Sequence, residues 1–317
     1  DRPARHRAAE HGRRHGEQQG EAAEGDAAGD PGRQAPARWC EGAAGKPAEQ
    51  HTRQQGQEDD EGKQQWHGAA GGARTRPPRG DYARARDDYT CAQDWSAYTA
   101  ADHDTWRRLF ERQSALLPGL ACDAFIQALP WLGTPDRIPR FEDINTRLWA
   151  ATGWEIVAVP GLIPERPFFE LLANRRFPVT DWIRKPEEFD YVVEPDVFHD
   201  LFGHVPLLFD PVFADYVQRY GQGGLKAHAL GACEQLSRLY WYTIEFGLMR
   251  QKDGLRAYGA GILSSPGELP YSVQSTEPQR IQLDLLRCMR TRYKIDTYQQ
   301  TYFAIDSFEQ LFELTAP

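Results

Sequence analysis

Glu194-Pro195-Asp196-Val197-Phe198-His199-Asp200-Leu201-Phe202-Gly203-His204-Val205-Pro206-Leu207-Leu208 is the stretch on which the chain turns. Two histidines stand five residues apart in an apolar setting, just ahead of a proline. Asp196 can cap a short helix through Phe202. Pro206 drives Val205 towards an extended conformation, so that helix is expected to end at His204. Residues five apart on an ideal α-helix are separated by about 140°. The pair is therefore an awkward ligand set unless Gly203 and the helix end let the second imidazole swing back. The plain alternative is two core histidines with local hydrogen bonds.

A metal at this pair needs a third ligand, best a carboxylate in apolar surroundings. Glu245 fits, within Tyr240-Trp241-Tyr242-Thr243-Ile244-Glu245-Phe246-Gly247. A carboxylate inside a buried helix is costly unless it is paired or metal-bound. An ion pair to Arg238 or Arg250 is the structural alternative. His199, His204 and Glu245 together have the ligand types of a 2-His-1-carboxylate triad, which favours non-haem Fe(II) with open positions for oxygen chemistry.

Composition narrows the rest. With 317 residues, the chain can form one large domain or two modest ones. A net charge of −9 argues against a general nucleic-acid binder. No run of about 18 apolar residues suggests a membrane span, and no apolar segment marks a secretory signal near the start. The first residue is Asp rather than Met, so the start reads as a trimmed or fragmentary boundary. Cys40, Cys91, Cys122, Cys233 and Cys288 are odd in number and widely spaced, which is neither a disulfide framework nor a zinc motif. A reducing cytoplasm is expected, with Cys233 and Cys288 as buried free thiols.

Residues 1–80 contain no Val, Ile, Leu, Met or Phe. Such a segment cannot bury enough apolar surface to offset chain entropy and is expected to be disordered. One reading of it is a non-native extension from an upstream start. Residues 81–317 form the expected folded domain, mainly α with a few short β-strands. Helical spacing runs through Trp106–Leu117, Phe141–Trp149 (with Gly153 as C-cap), Pro164–Arg175 and Phe213–Tyr220, the last ended by Gly221–Gly224. A long helix is expected from about Ala227 to Lys252, buried over Leu239–Leu248. Another covers Thr276 or Glu277 to Arg290. Glu155–Val159 reads as a strand, Tyr293–Tyr298 with Thr301–Ile305 as a hairpin, and Ser307–Leu314 as a last short helix.

The run Glu194–Leu208, the segment Tyr240–Gly247 and the motif Tyr258-Gly259-Ala260-Gly261-Ile262-Leu263-Ser264-Ser265-Pro266-Gly267-Glu268 resemble the pterin-dependent aromatic amino acid hydroxylases. The likeness is greatest to bacterial phenylalanine 4-hydroxylases and covers residue 81 to the end. It implies a single hydroxylase-type catalytic domain using Fe(II), tetrahydrobiopterin or a related tetrahydropterin, and O₂. The implied reaction is conversion of L-phenylalanine to L-tyrosine, at the entry to phenylalanine catabolism. By resemblance, His199, His204 and Glu245 match the iron ligands, and Tyr240 a tyrosine close to the iron. Phe168 matches the aromatic that stacks on the pterin, Gly161, Leu162 and Ile163 the backbone lining it, and Asp200 an acid near it. Arg184 matches the arginine that pairs with the amino acid carboxylate. Trp241, Ser264, Ser265 and Glu268 match the substrate pocket and its surroundings. Val192, Glu165 and Pro266 depart from the family pattern. Animal members of that family add an N-terminal regulatory domain and a C-terminal tetramerisation helix, whereas here the N-terminal tail lacks core-forming residues and the chain stops at Pro317, so a monomer without amino-acid-activated regulation is expected.

Other readings stay open on the residues alone. Tryptophan and tyrosine hydroxylases share the iron site. A zinc hydrolase could use two His and one Glu, although no HExxH is present. A helical module with a structural metal would need a closed coordination shell. Gly221–Gly224 lacks the Lys-Ser/Thr of a phosphate loop.

Overall fold

The structure is a computed structural model that describes residues 79–295 and 297–315. The disorder expected for residues 1–80 falls outside the described residues except at Arg79 and Gly80. Arg79 pairs with Glu188 at 2.8 Å, and its backbone N–H donates to Glu194 at 3.1 Å.

Helix α1 (Ala100–Leu116) starts at a capping box, in which Thr99 and Asp102 bond each other's backbone N–H. Its buried face carries Trp106 and Leu109. Helix α2 (Asp123–Ala128) is short, and α3 (Phe141–Thr152) ends at Gly153 in the left-handed conformation. Strand β1 (Glu155–Val159), helix α4 (Glu165–Ala173) and strand β2 (Arg176–Thr180) make a compact β-α-β unit, with β1 and β2 parallel. The spacing of hydrophobics anticipated β1 and α4. It did not show β2, whose short run looks like loop until β1 supplies a partner.

Beyond β2 the chain enters the histidine stretch as a π-helical turn, His199–His204, followed by a 3₁₀ turn, Val205–Phe209. Pro206 therefore does not end the helical path. It sits at the start of the tighter 3₁₀ turn, where its missing N–H is tolerated.

Helix α5 (Pro211–Ala229) runs straight through Gly221–Gly224, where an end was expected. A Cβ at Gly221 would lie 2.5 Å from the Ala173 backbone nitrogen, and one at Gly224 would lie 2.1 Å from the Phe169 ring. These glycines let α5 press against α4 and do not terminate it. The chain breaks instead at Gly231, left-handed with φ 65°.

The long helix expected over Ala227–Lys252 is thus several pieces. Helix α6 (Cys233–Tyr240) leads into a second π-helical turn, Trp241–Glu245, and then strand β3 (Leu248–Gln251). The expected burial of Leu239–Leu248 is largely realised. Its apolar character suits a buried strand as well as a buried helix, and pairing decides the matter. A hairpin joins β3 to β4 (Gly254–Ala257) across Lys252 and Asp253.

Helix α7 (Ala260–Leu263) and helix α8 (Glu268–Gln274) carry the Ser264–Glu268 motif between and beside them. Strand β5 (Gln279–Gln282) replaces the first half of the helix expected up to Arg290, and helix α9 is only Leu285–Arg290. Strand β6 (Thr301–Ile305) pairs parallel with both β3 and β5, giving the order β4-β3-β6-β5. Tyr293–Tyr298 is not its hairpin partner. Four of the five β6 residues are buried, so the strand needs a neighbour on each edge, and both come from far along the chain. Helix α10 (Phe308–Leu314) closes the described fold.

Candidate metal centre

The first π-helical turn resolves the awkward five-residue spacing. Such a turn closes i→i+5 hydrogen bonds, so residues five apart come to one face. His199 Nε2 and His204 Nε2 stand 3.2 Å apart without any swing at a frayed end. The second π-helical turn delivers Glu245, with Phe246 N–H donating to Trp241 O at 2.8 Å across five residues. One Glu245 oxygen lies 3.2 Å from His204 Nε2, and the other 3.6 Å from His199 Nε2. Arg238 pairs with Glu234, and Arg250 lies 3.8 Å from Asp306. The ion-pair alternative for Glu245 is not what these arginines do.

The hydrogen bonds fix one tautomer. Ser264 Oγ donates to Ala260 O at 2.8 Å, which spends its only proton. At its 2.8 Å contact with His199 it must accept, so His199 Nδ1 carries the hydrogen. The Nε2 lone pair is then left facing the cluster, as a metal-ligating histidine requires. Burial pushes the His199 imidazolium down to about 4, against the pull of Glu245, so the ring is neutral at ordinary pH. His204 is 4% exposed at its side chain and His199 16%, so approach is from the His199 side.

Two imidazole nitrogens and a carboxylate, all buried or half-buried and within 4.8 Å of one another, are the donor set that Fe(II) or another borderline divalent cation accepts. Three protein donors leave coordination positions for exogenous ligands.

The other expected residues gather in part around this cluster. Tyr240 has its ring 6.4 Å from that of His204 and 5.7 Å from that of Phe168. Gly161, Leu162 and Ile163 are buried in the turn before α4, and Tyr82 donates to Leu162 O at 2.8 Å. Asp200 accepts the Thr180 N–H at 2.7 Å. Burial pushes its carboxyl up to about 7, with His204 and Thr180 opposing.

Arg184 is buried in a two-pronged pair with Asp196, at 2.8 and 2.9 Å. Asp196 also accepts the His199 backbone N–H at 3.0 Å, so the same carboxylate braces the arginine and the histidine turn. Three of the five guanidinium N–H donors are not spent on Asp196.

Trp241 stacks on Tyr293 at 4.2 Å and donates to Gln299 Oε1 at 3.1 Å. Glu268 accepts the Gln299 N–H at 3.0 Å and the Tyr302 hydroxyl. Ser265 Oγ accepts the Glu268 N–H at 3.2 Å. Ser265 and Glu268 therefore shape the wall that holds Trp241. Asp196, Thr180, Tyr293, Gln299 and Tyr302 were missed in the sequence. Asp196 had a signal, as a second acid in the apolar run beside His199, whereas Gln299 had none. Cys233 is half-buried, not buried as expected, because it begins α6 beside the exposed His228.

The sequence profile of the biopterin-dependent aromatic amino acid hydroxylases matches residues 57–315. A phenylalanine-4-hydroxylase of Ralstonia nicotianae is 61% identical over 233 residues, spanning 73% of this chain and 74% of that protein. One from Chromobacterium violaceum is 60% identical over 232 residues, spanning 73% and 78%. The iron- and phenylalanine-bound crystal structure of the Chromobacterium violaceum phenylalanine hydroxylase superposes with a TM-score of 0.71 at 59% identity, covering 74% of this chain and 85% of that one.

Proposed function

The chain belongs to the biopterin-dependent aromatic amino acid hydroxylases, and on that premise we propose that it is a phenylalanine 4-monooxygenase, turning L-phenylalanine into L-tyrosine with Fe(II), a tetrahydropterin and O₂. The observation that carries the proposal is the convergence of His199 Nε2, His204 Nε2 and the Glu245 carboxylate from two π-helical turns. Its choice of phenylalanine rests on the relatives, since the three aromatic substrates differ little in what the site must hold.

In this reading His199, His204 and Glu245 hold the iron. Bound iron and tetrahydropterin supply the activation of O₂, which no side chain can provide. The chain's own residues bind, orient and shield. Arg184 takes the substrate carboxylate with the donors that Asp196 leaves, a task that suits a planar guanidinium. Trp241, fixed by Tyr293 and Gln299, forms a wall for the aromatic ring, with Ser264, Ser265 and Glu268 holding the surrounding loop. Phe168, Tyr240 and the Gly161–Ile163 turn form the pterin side, with Asp200 as a buried acid beside it. The burial of His204 and Glu245 keeps bulk water from the reacting centre. The enzyme acts as a monomer in the cytoplasm. Among the described residues no helix is long and apolar enough to cross a membrane.

The test is an assay of iron-loaded protein with a tetrahydropterin and each aromatic amino acid in turn. Tyrosine is expected from phenylalanine, and His199→Ala and Glu245→Ala are each expected to reduce its formation to background. Product formation that survives both substitutions would sink the iron assignment. Preference for tryptophan or tyrosine would move the substrate, and peptidase activity of a zinc-only preparation would favour a hydrolase.

A further inference from the structure

A second group of metal-binding side chains meets where α4, α5 and α6 come together. Glu165 opens α4, His228 lies in the last turn of α5, and Cys233 begins α6. One donor atom from each lies within 4.8 Å of the others. His228 Nδ1 stands 3.9 Å from Cys233 Sγ and 3.9 Å from Glu165 Oε2. The left-handed Gly231, between the two helices, folds His228 and Cys233 onto each other. None of the three residues takes part in the proposed iron centre.

We propose that Glu165, His228 and Cys233 form a second cation site, which takes Zn²⁺ or a similarly soft divalent ion through one sulfur, one nitrogen and one oxygen, with water as the fourth ligand. Donors around a tetrahedral zinc stand roughly 3.4–3.6 Å apart, given bonds of about 2.0–2.3 Å. The two separations from His228 Nδ1 need to close by only about half an ångström. His228 and Glu165 are 46% and 37% exposed at their side chains, so both have the freedom to move. As the sulfur–metal bond forms, the Cys233 thiol loses its proton to solvent. Without a cation that loss is opposed: burial, and then the neighbouring Glu165 carboxylate, push the Cys233 thiol up to about 12. A divalent ion answers both the carboxylate and the thiolate. Filled, the site would pin the start of α4, just after the Gly161–Ile163 turn, to the α5–α6 junction.

Cobalt distinguishes this site from the iron centre, because only this one has sulfur. Iron-loaded full-length protein is titrated with Co²⁺ and followed in the near ultraviolet. A thiolate-to-cobalt charge-transfer band is expected, and Zn²⁺ should displace it. Cys233→Ser should abolish the band. His228→Ala should weaken cobalt binding by at least about tenfold, the least that loss of a supporting group costs a metal site. Retention of one iron equivalent marks the variants as folded. Should Cys233→Ser fail that check, alkylation of Cys233 in the unaltered protein decides the question, since bound zinc should slow it by about tenfold or more. Absence of the band, its persistence in Cys233→Ser, or a thiol that zinc leaves unprotected would each overturn the site.

Discussion

At the residue scale, the centre depends on carboxylates that do not touch metal. Asp196 is fully buried and is held below the usual carboxylate range: burial works against its charge, but the Arg184 guanidinium and the Arg184 and His199 N–H groups outweigh it. Removing one partner of such a pair strands the other charge and costs about 3–5 kcal/mol. Asp196→Asn is expected to lose stability on that scale in urea unfolding and to weaken phenylalanine binding; a loss below about 1 kcal/mol would mean that Arg184 finds another partner. Glu268 behaves differently. Burial pushes its carboxyl up, with the Tyr302 and Gln299 donors opposing. The protonated acid is thus favoured in the fold, and the stability it contributes is full at low pH and lost as pH rises through its folded-state value. Glu268→Gln keeps an acceptor and removes the charge. Its melting temperature relative to the parent should rise as pH increases above about 4, the ordinary glutamate range, and a constant offset would contradict this.

At the scale of elements, two features were invisible to helical periodicity and both shape the centre. The π-helical turns change which residues share a face, so that five-residue spacing becomes a ligand pair. The glycines of α5 have opposite roles within one turn. Gly221 faces the Ala173 backbone at a distance that admits no Cβ, whereas a Cβ at Gly223 meets nothing within 4 Å. Gly221→Ala should therefore cost about 1–3 kcal/mol through overpacking. Gly223→Ala should gain up to about 1 kcal/mol from helix propensity. Denaturant midpoints of the two variants check the contrast, and equal effects would mean that α4 and α5 are not in tight contact.

At the scale of the molecule, the metal ligands come from segments some forty residues apart in sequence, the turns that precede α5 and follow α6. A metal bound there joins them and stabilises only the folded state. At a free-iron concentration of about 100 times the dissociation constant, the gain is about 2.7 kcal/mol. For a domain of this size that corresponds to a rise of roughly 5–10 °C in melting temperature. Chelation should reverse the rise, and His199→Ala should show none. A chelator-insensitive melt would indicate that the donors are tied together by other contacts.

The sequence by itself determined the chemistry of the centre and much of the helical scaffold. Two histidines in an apolar run, one carboxylate in another and three long motifs in order point to the ligands and to the family. Side-chain period marked α1, α3, β1, α4, the start of α5 and α10. These signals are local, carried by residue type and spacing within a turn or two. Tertiary structure alone decided that Gln279–Gln282 is a strand, because it is paired with β6, which lies some twenty residues further along the chain. It alone carried α5 through its glycines, because the reason lies in α4. It alone turned the two ligand segments into π-helical turns and set Asp196 under Arg184. For the strand, for α5 and for the Arg184–Asp196 pair the deciding contact is made with a residue or strand outside the local window, and one-dimensional spacing does not record it.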